Sequence, residues 1–430
     1  DLFNMAVAKT ELLTNINFPA YSIIMASDRH FIVAGGGGAS STGVRNGFQV
    51  FEIYYDDDKC HAEQVLKHDT GEFSIMNSDC ITNGCNILLV IGQDACSHVY
   101  ELRPALDKIK FMEKRTSKGE IEVQRRRRAS SRSSVSLDDN EEINVLYKRK
   151  SRIVYEAVEL KSFQTDFCKK EEPLQKVARI SPGGKFLATG GVDGIIRVWS
   201  VANWKKTREI KAHSKEIDDL DFNESGKMLI SVSKDKRCCM WSVETGKLAK
   251  ELIWKTNGKT KYIYKRCRVS PDIHNGEQFS VYTILNPLSS KEASHLLQWN
   301  SGNLDDPVGQ ATFRESLSAL ATDSSTGKYI AVGTMFTGTI HIFSAKKLNK
   351  LYSVERAHNT FVTGLEFLPN TIGAKRASGV TDVSLLSISV DNQVKLHQVD
   401  CESSLPIWMA IAGMVCLLLL SYLVALASGL

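Results

Sequence analysis

Two stretches of this 430-residue chain align without a gap, ISPGGKFLATGGVDGIIRVWSV at 180–201 and FNESGKMLISVSKDKRCCMWSV at 222–243. In each, an aspartate (Asp193, Asp235) lies six residues before a tryptophan (Trp199, Trp241) and four after a hydroxyl residue (Thr189, Ser231). An internal repeat of this kind constrains the fold more than any propensity, because each copy must bury its apolar face against the next. The register is that of WD-type blades. There, an aspartate in a tight turn bonds an upstream histidine, and the hydroxyl and indole complete a buried polar chain. Such a chain is tolerated only when fully hydrogen-bonded. His213 is the matching histidine for Asp235, and His358, Ser387 and Asp391 repeat the logic with His397 at the tryptophan position. Because these Asp/His/Ser sets recur with the repeat, they are read as structural rather than catalytic.

Weaker copies fill the rest: YSIIMAS, FIVAGGG and FQVFEIYYD; FSIMNS, ILLVIGQDA and HVYEL; YKRCRVS, FSVYTIL and HLLQWN; LSALATD, YIAVGT and TIHIF. Each is a set of short β-rich runs separated by turn residues. With the three clearer copies they predict an all-β, seven-bladed WD-repeat-like β-propeller over residues 1–400. The 43% hydrophobic and 24% charged content is that of a globular chain with a sizeable core. A net charge of +5 is too small to argue for a nucleic-acid partner. The ten cysteines show no zinc-ligand spacing, and the adjacent Cys238 and Cys239 would point to opposite faces of a strand, so no metal is assigned to them.

Leu405 to Ala427, LPIWMAIAGMVCLLLLSYLVALA, is uncharged and long enough to cross roughly 30 Å of hydrocarbon as a helix. Trp408 and Tyr422 suit interfacial positions near its ends. The expectation is a single C-terminal transmembrane helix at 405–427 with a short luminal tail at 428–430, inserted after synthesis, and a propeller facing the cytosol. Asn223-Glu224-Ser225, a formal glycosylation acceptor, would then stay unmodified. No signal peptide is read in the first residues, which start at Asp1 without a methionine.

Residues 113–152 are charged, Ser-rich and poor in apolar side chains, and predict a disordered insertion. Its run Arg125 to Arg128 is read as a solvated basic loop in preference to a nucleic-acid patch, and Ser130 as a basophilic-kinase site whose phosphate would offset that charge.

The most unusual local sequence is AGGGGASSTGVRNG, Ala34 to Gly47, between two strands of the first blade. Each glycine forfeits about 0.5–1 kcal/mol of backbone entropy relative to alanine on ordering. The stretch is longer than a turn needs. It is neither a P-loop, having no GK[ST], nor a dinucleotide fingerprint, having no following helix. Such glycines suit a loop that approaches another surface closely or wraps carbonyl groups around a cation.

FPAY at 18–21, this loop, LKHDTGE at 66–72, IGQDA at 91–95, FQTDF at 163–167 and PLQKV followed by LATGGVDGIIRVW together resemble the prolactin regulatory element-binding protein family. That family comprises the endoplasmic-reticulum exchange factors for the small GTPase that starts COPII coat assembly. The resemblance spans essentially the whole chain. It implies a guanine-nucleotide exchange factor, without bond chemistry of its own, in the endoplasmic-reticulum membrane and supporting transport to the Golgi. It also implies a potassium ion held by backbone carbonyls within Gly35 to Gly47, and an asparagine, here Asn46, that touches the GTPase. Gly35, Gly36, Gly37, Gly38, Gly43 and Gly47 match the loop's glycines, with Thr42 and Arg45 as further binding residues. The alternatives are a membrane scaffold, which would tolerate change at Asn46, and a DNA-binding regulator. The latter would have to rest on the arginine run alone, since no nucleic-acid-binding motif is visible.

Overall fold

The computed structural model describes residues 7–39, 43–115, 121–125, 146–255, 260–271, 278–289, 292–400 and 414–415, and of 7, 107–115, 121–125 and 146–152 it gives the backbone only. Among these residues the chain forms seven antiparallel sheets, six of four strands and one of five. The innermost strands are Ala20–Met25, Ile75–Asn83, Gln175–Ile180, Ile217–Phe222, Tyr262–Pro271, Leu317–Thr322 and Val362–Phe367. Each packs beside the next, and the last beside the first, so the ring is a closed seven-bladed propeller as the repeats predict.

The seventh blade is built from both parts of the chain. Val362–Phe367, Val383–Ser389 and Gln393–Asp400 supply three strands, and Val7–Asn15 supplies the outermost by pairing with Gln393–Asp400. No blade pattern in the sequence announces this strand. Its pairing covers the edge of Gln393–Asp400 and ties the two parts of the chain into one blade, closing the ring.

Between blades, side chains from neighbouring sheets interdigitate. Phe31, Val33, Phe51 and Ile53 of the first blade pack with Leu386, Ile388, Val394 and Leu396 of the seventh. Ile32, Phe48 and Val50 pack with Ile87, Leu89 and Ile91 of the second. Both faces of the second strand of each blade are therefore buried, which explains runs such as His30–Gly35 that are buried at every position instead of alternating.

The blade networks form as expected where their residues are present. Trp199 and Trp241 donate through Nε1 to Thr189 Oγ1 (3.0 Å) and Ser231 Oγ (2.8 Å). His213 shares 2.7 Å with Ser231 Oγ and 3.0 Å with Asp235 Oδ2. His358 does the same with Ser387 (2.7 Å) and Asp391 (3.0 Å), and His397 Nε2 takes the indole's place on Ser387 Oγ at 2.8 Å. Burial lowers the imidazoles of His213 and His358 below the ordinary histidine value, although their aspartates oppose it. Blade three lacks the histidine. Arg197, almost fully buried, pairs with Asp193 at 2.7 Å in its stead. Blade five repeats the hydroxyl–indole bond between Thr283 and Trp299 (3.1 Å) at a spacing too long for the repeat to reveal.

The charged insertion is narrower than the composition predicts. Cys96–Arg115 and Leu146–Gln164 pair along their length, from Cys96 opposite Gln164 to Glu113 opposite Leu146, and Ile121–Arg125 adds to the far end of the first. Backbone pairing extends there despite the polar sequence. Residues 116–120 and 126–145, with Ser130 and most of the arginine run, lie outside the described residues. So does nearly all of 405–427. Among the described residues no helix is long and apolar enough to cross a membrane.

Candidate functional site

The glycine-rich loop leaves His30–Gly35 and returns in Asn46–Asp56, at the end of the first blade where inner strands begin and outer strands finish. Its first and last glycines are strand residues. Gly35 pairs with Gly47. A Cβ on Gly35 would lie 2.0 Å from the carbonyl oxygen of Pro19, and one on Gly47 would lie 2.1 Å from that of His68. Glycine is required at both because neighbouring backbones press against them. Gly36 then turns with φ +145°, a conformation that side chains disfavour, and donates its N–H to Pro19 O at 3.0 Å.

Asn46 governs the loop's path. Only 4% exposed, its Oδ1 accepts the N–H of Gly38 (2.9 Å), and its Nδ2 faces the carbonyls of Gly38 (3.2 Å), Gly71 (3.0 Å) and Glu72 (2.7 Å). Within the loop both amide hydrogens and one lone pair of the oxygen are engaged. Gln93 of the second blade holds the neighbouring segment. Its Nε2 donates to Phe73 O (2.5 Å) and Thr70 Oγ1 (3.0 Å), and Ser74 Oγ reaches Gly36 O at 3.5 Å.

Arg45 is 71% exposed at the side chain and meets Asp69 at 3.4 Å, an ion pair of little energetic weight at that exposure. Gly43, with φ +75°, has open space around it. Thr42 lies outside the described residues. Beneath the loop's foot, burial lowers the His68 imidazole below its ordinary value, against the carboxylates of Asp69 and Glu159, and the ring packs on Phe48.

The sequence singled out the loop and Asn46 but not Gln93 as a support. The signal was nevertheless present. FPAY, LKHDTGE and IGQDA, far apart in the chain, supply Pro19 O, Gly71 and Glu72 O, and Gln93, which converge on this loop.

Between Ala34 and Gly47 there is no carboxylate. A cation held there would be held by carbonyl oxygens, donors that suit a hard ion of low charge. Among the described residues no cluster of His, Cys, Asp or Glu could ligate a metal.

Fold and site together define a WD-type propeller that projects one internally braced, glycine-rich loop from its first blade. The WD domain, G-beta repeat family matches residues 170–200 and 204–242. The chain is 31% identical to the guanine nucleotide-exchange factor SEC12 of Rattus norvegicus over 414 residues, 94% of each chain, and 31% identical to that of Mus musculus over 419 residues with the same coverage. SEC12-like protein 2 of Arabidopsis thaliana is 25% identical over 234 residues, about half of either chain. The chain belongs to the SEC12 family of guanine nucleotide-exchange factors, the family to which its motifs point.

Proposed function

We propose that the protein accelerates GDP release from the small GTPase that initiates COPII coat assembly, while anchored in the endoplasmic-reticulum membrane by residues 405–427. The observation that carries this reading is the brace around Asn46. A loop with four consecutive glycines would be floppy unless held, and here a buried amide and a neighbouring blade hold its root at fixed geometry.

Exchange requires that the factor bind the nucleotide-free GTPase more tightly than the GDP-bound form. A preshaped loop does this by occupying space that the GTPase vacates only when its nucleotide site opens. Asn46 is then a positioning residue, acting through Gly36 to Gly38, while the exposed Arg45 is available to the partner, with Thr42 as a second contact that the family resemblance implies. A potassium ion, bound by loop carbonyls, would stiffen the same segment. Nothing is cleaved or transferred by the protein itself. Uncharged sequence at 405–427 supports the anchor.

The test is GDP release from the COPII GTPase with the chain in vesicles, in potassium and in sodium buffer. Acceleration that falls in sodium supports the loop and its ion. Acceleration equal in both retains exchange and removes the ion. No acceleration in either leaves a membrane scaffold.

A further inference from the structure

The end of the ring opposite the loop carries a second unusual surface. Strand Gln393–Asp400 runs away from the loop-bearing end, so the chain leaves the propeller at the far end. Beside that exit lies the helix Ile372–Ser378, which joins the two inner strands of the seventh blade. Gln398 Nε2 donates to Ser378 O (2.7 Å), and Cys60 Sγ of the first blade donates to the same oxygen (2.9 Å). Gly379 rests on the Tyr55 ring, where a Cβ would meet Cε2 at 3.0 Å. Helix, tyrosine hairpin and exit strand therefore form one rigid group.

This helix buries only small side chains and leaves its largest apolar one in the open. It buries Ala374, Ala377 and Ser378, while Ile372 is 74% exposed and Val380, just beyond it, is 84% exposed. Tyr55, against whose ring Gly379 rests, is 44% exposed. Exposed aliphatic side chains on a segment packed against an exposed tyrosine, with Arg376 in the same helix, are the composition of a bilayer-interface contact.

We propose that this patch is where the propeller rests on the membrane that holds its own C-terminal segment. The inference depends on the anchor reading above. Only Cys401 to Ser404 separate the exit strand from the uncharged run at Leu405, a span of at most roughly 18 Å. Over so short a tether the contact is intramolecular, so modest apolar burial suffices to populate it. Asp56, Asp57 and Asp58 follow the tyrosines, so the patch lies in the headgroup region of a zwitterionic surface and gains nothing from anionic lipid. The loop-bearing end then faces away from the membrane, toward an approaching partner.

The experiment places the full chain in phosphatidylcholine vesicles containing a diazirine-bearing phospholipid and maps lipid adducts by peptide after illumination. Adducts on the peptides containing Tyr54–Tyr55 and Ile372–Val380, with none on 34–47 or Phe73, are expected. In the I372D/V380D variant, whose substituted side chains are exposed, the adduct on the tyrosine peptide falls about tenfold while vesicle flotation is unchanged. Adducts confined to 405–427, or found on the loop-bearing end, overturn the proposal and leave the anchor intact. With an amine-reactive cross-linker added to a parallel sample, links from Lys375 to a second copy in place of lipid adducts also overturn it, making the patch a dimer contact. A chain that fails to float with vesicles at all fails the anchor reading instead.

Discussion

The side chain of Asn46 grips both polar groups of Gly38, accepting its N–H at 2.9 Å and facing its carbonyl at 3.2 Å. A loop residue is thus bonded to the strand that ends the loop much as one strand bonds another, although no ladder exists there.

Asn46→Ala leaves the Gly38 N–H and the Gly71 and Glu72 carbonyls without this partner, at a cost of about 1–3 kcal/mol. The fold survives that loss. Exchange activity is expected to fall more than about tenfold, because the loop no longer has one path. Denaturant midpoints and GDP-release rates measured on the same preparation check both halves; unchanged exchange would remove Asn46 from the mechanism.

Two glycines separate brace from tip. A Cβ on Gly36 would lie 2.1 Å from Asn46 Oδ1, whereas one on Gly43 would meet nothing within 4 Å. Gly36→Ala should therefore reproduce the activity loss of Asn46→Ala. Gly43→Ala should cost only the backbone strain of a left-handed residue, about 1–2 kcal/mol at most, with exchange retained. Equal losses at the two positions would show that strain at the tip, not the brace, controls the loop.

Acid should destabilise the propeller through its neutral histidines. Burial lowers His397 to about 3 and His30 to about 4, the charges of neighbouring side chains adding to the effect. The unfolded chain binds these protons near 6.5 and the folded chain does not, so the unfolded state holds more protons between those values. Stability is then lost as pH falls from about 6.5 toward 4, by up to roughly 1.4 kcal/mol per pH unit for each group. Glu366, pushed up to about 7 by burial in the central channel, acts in the opposite sense, its stabilising share being lost as pH rises through 7. Urea midpoints from pH 7.5 to 4.5 should fall less steeply in H397Q than in the parent chain.

Removing residues 1–15 deletes the strand that closes the seventh blade and the Thr10–His397 bond of 3.0 Å. The exposed edge of Gln393–Asp400 is expected to lower the unfolding temperature and promote association. Adding the missing segment back as a peptide should restore both. A truncated chain as stable as the parent would mean the ring does not depend on this closure.

Much of the architecture was legible because it rests on local chemistry. Asp235, Ser231 and Trp241 sit at fixed intervals since each belongs to one turn or one pair of adjacent strands. The same holds for Asp391 and Ser387. Legibility ended where partners came from elsewhere in the chain. Arg197 substitutes for an absent histidine, and the Thr283–Trp299 bond escapes the repeat because the loop between their strands is longer. The strand at Leu146–Gln164 begins in sequence that reads as disordered, since strand pairing supplies what its side chains do not announce.

By itself the sequence determined the propeller, its seven blades and the place of the glycine loop, because periodic burial and turn chemistry are written into neighbouring residues. Tertiary structure decided which way Asn46 faces, that Gln93 of another blade supports the same loop, and that the first strand completes the last blade. Those depend on groups brought together by ring closure, and separation along the chain carries no record of a distance in space.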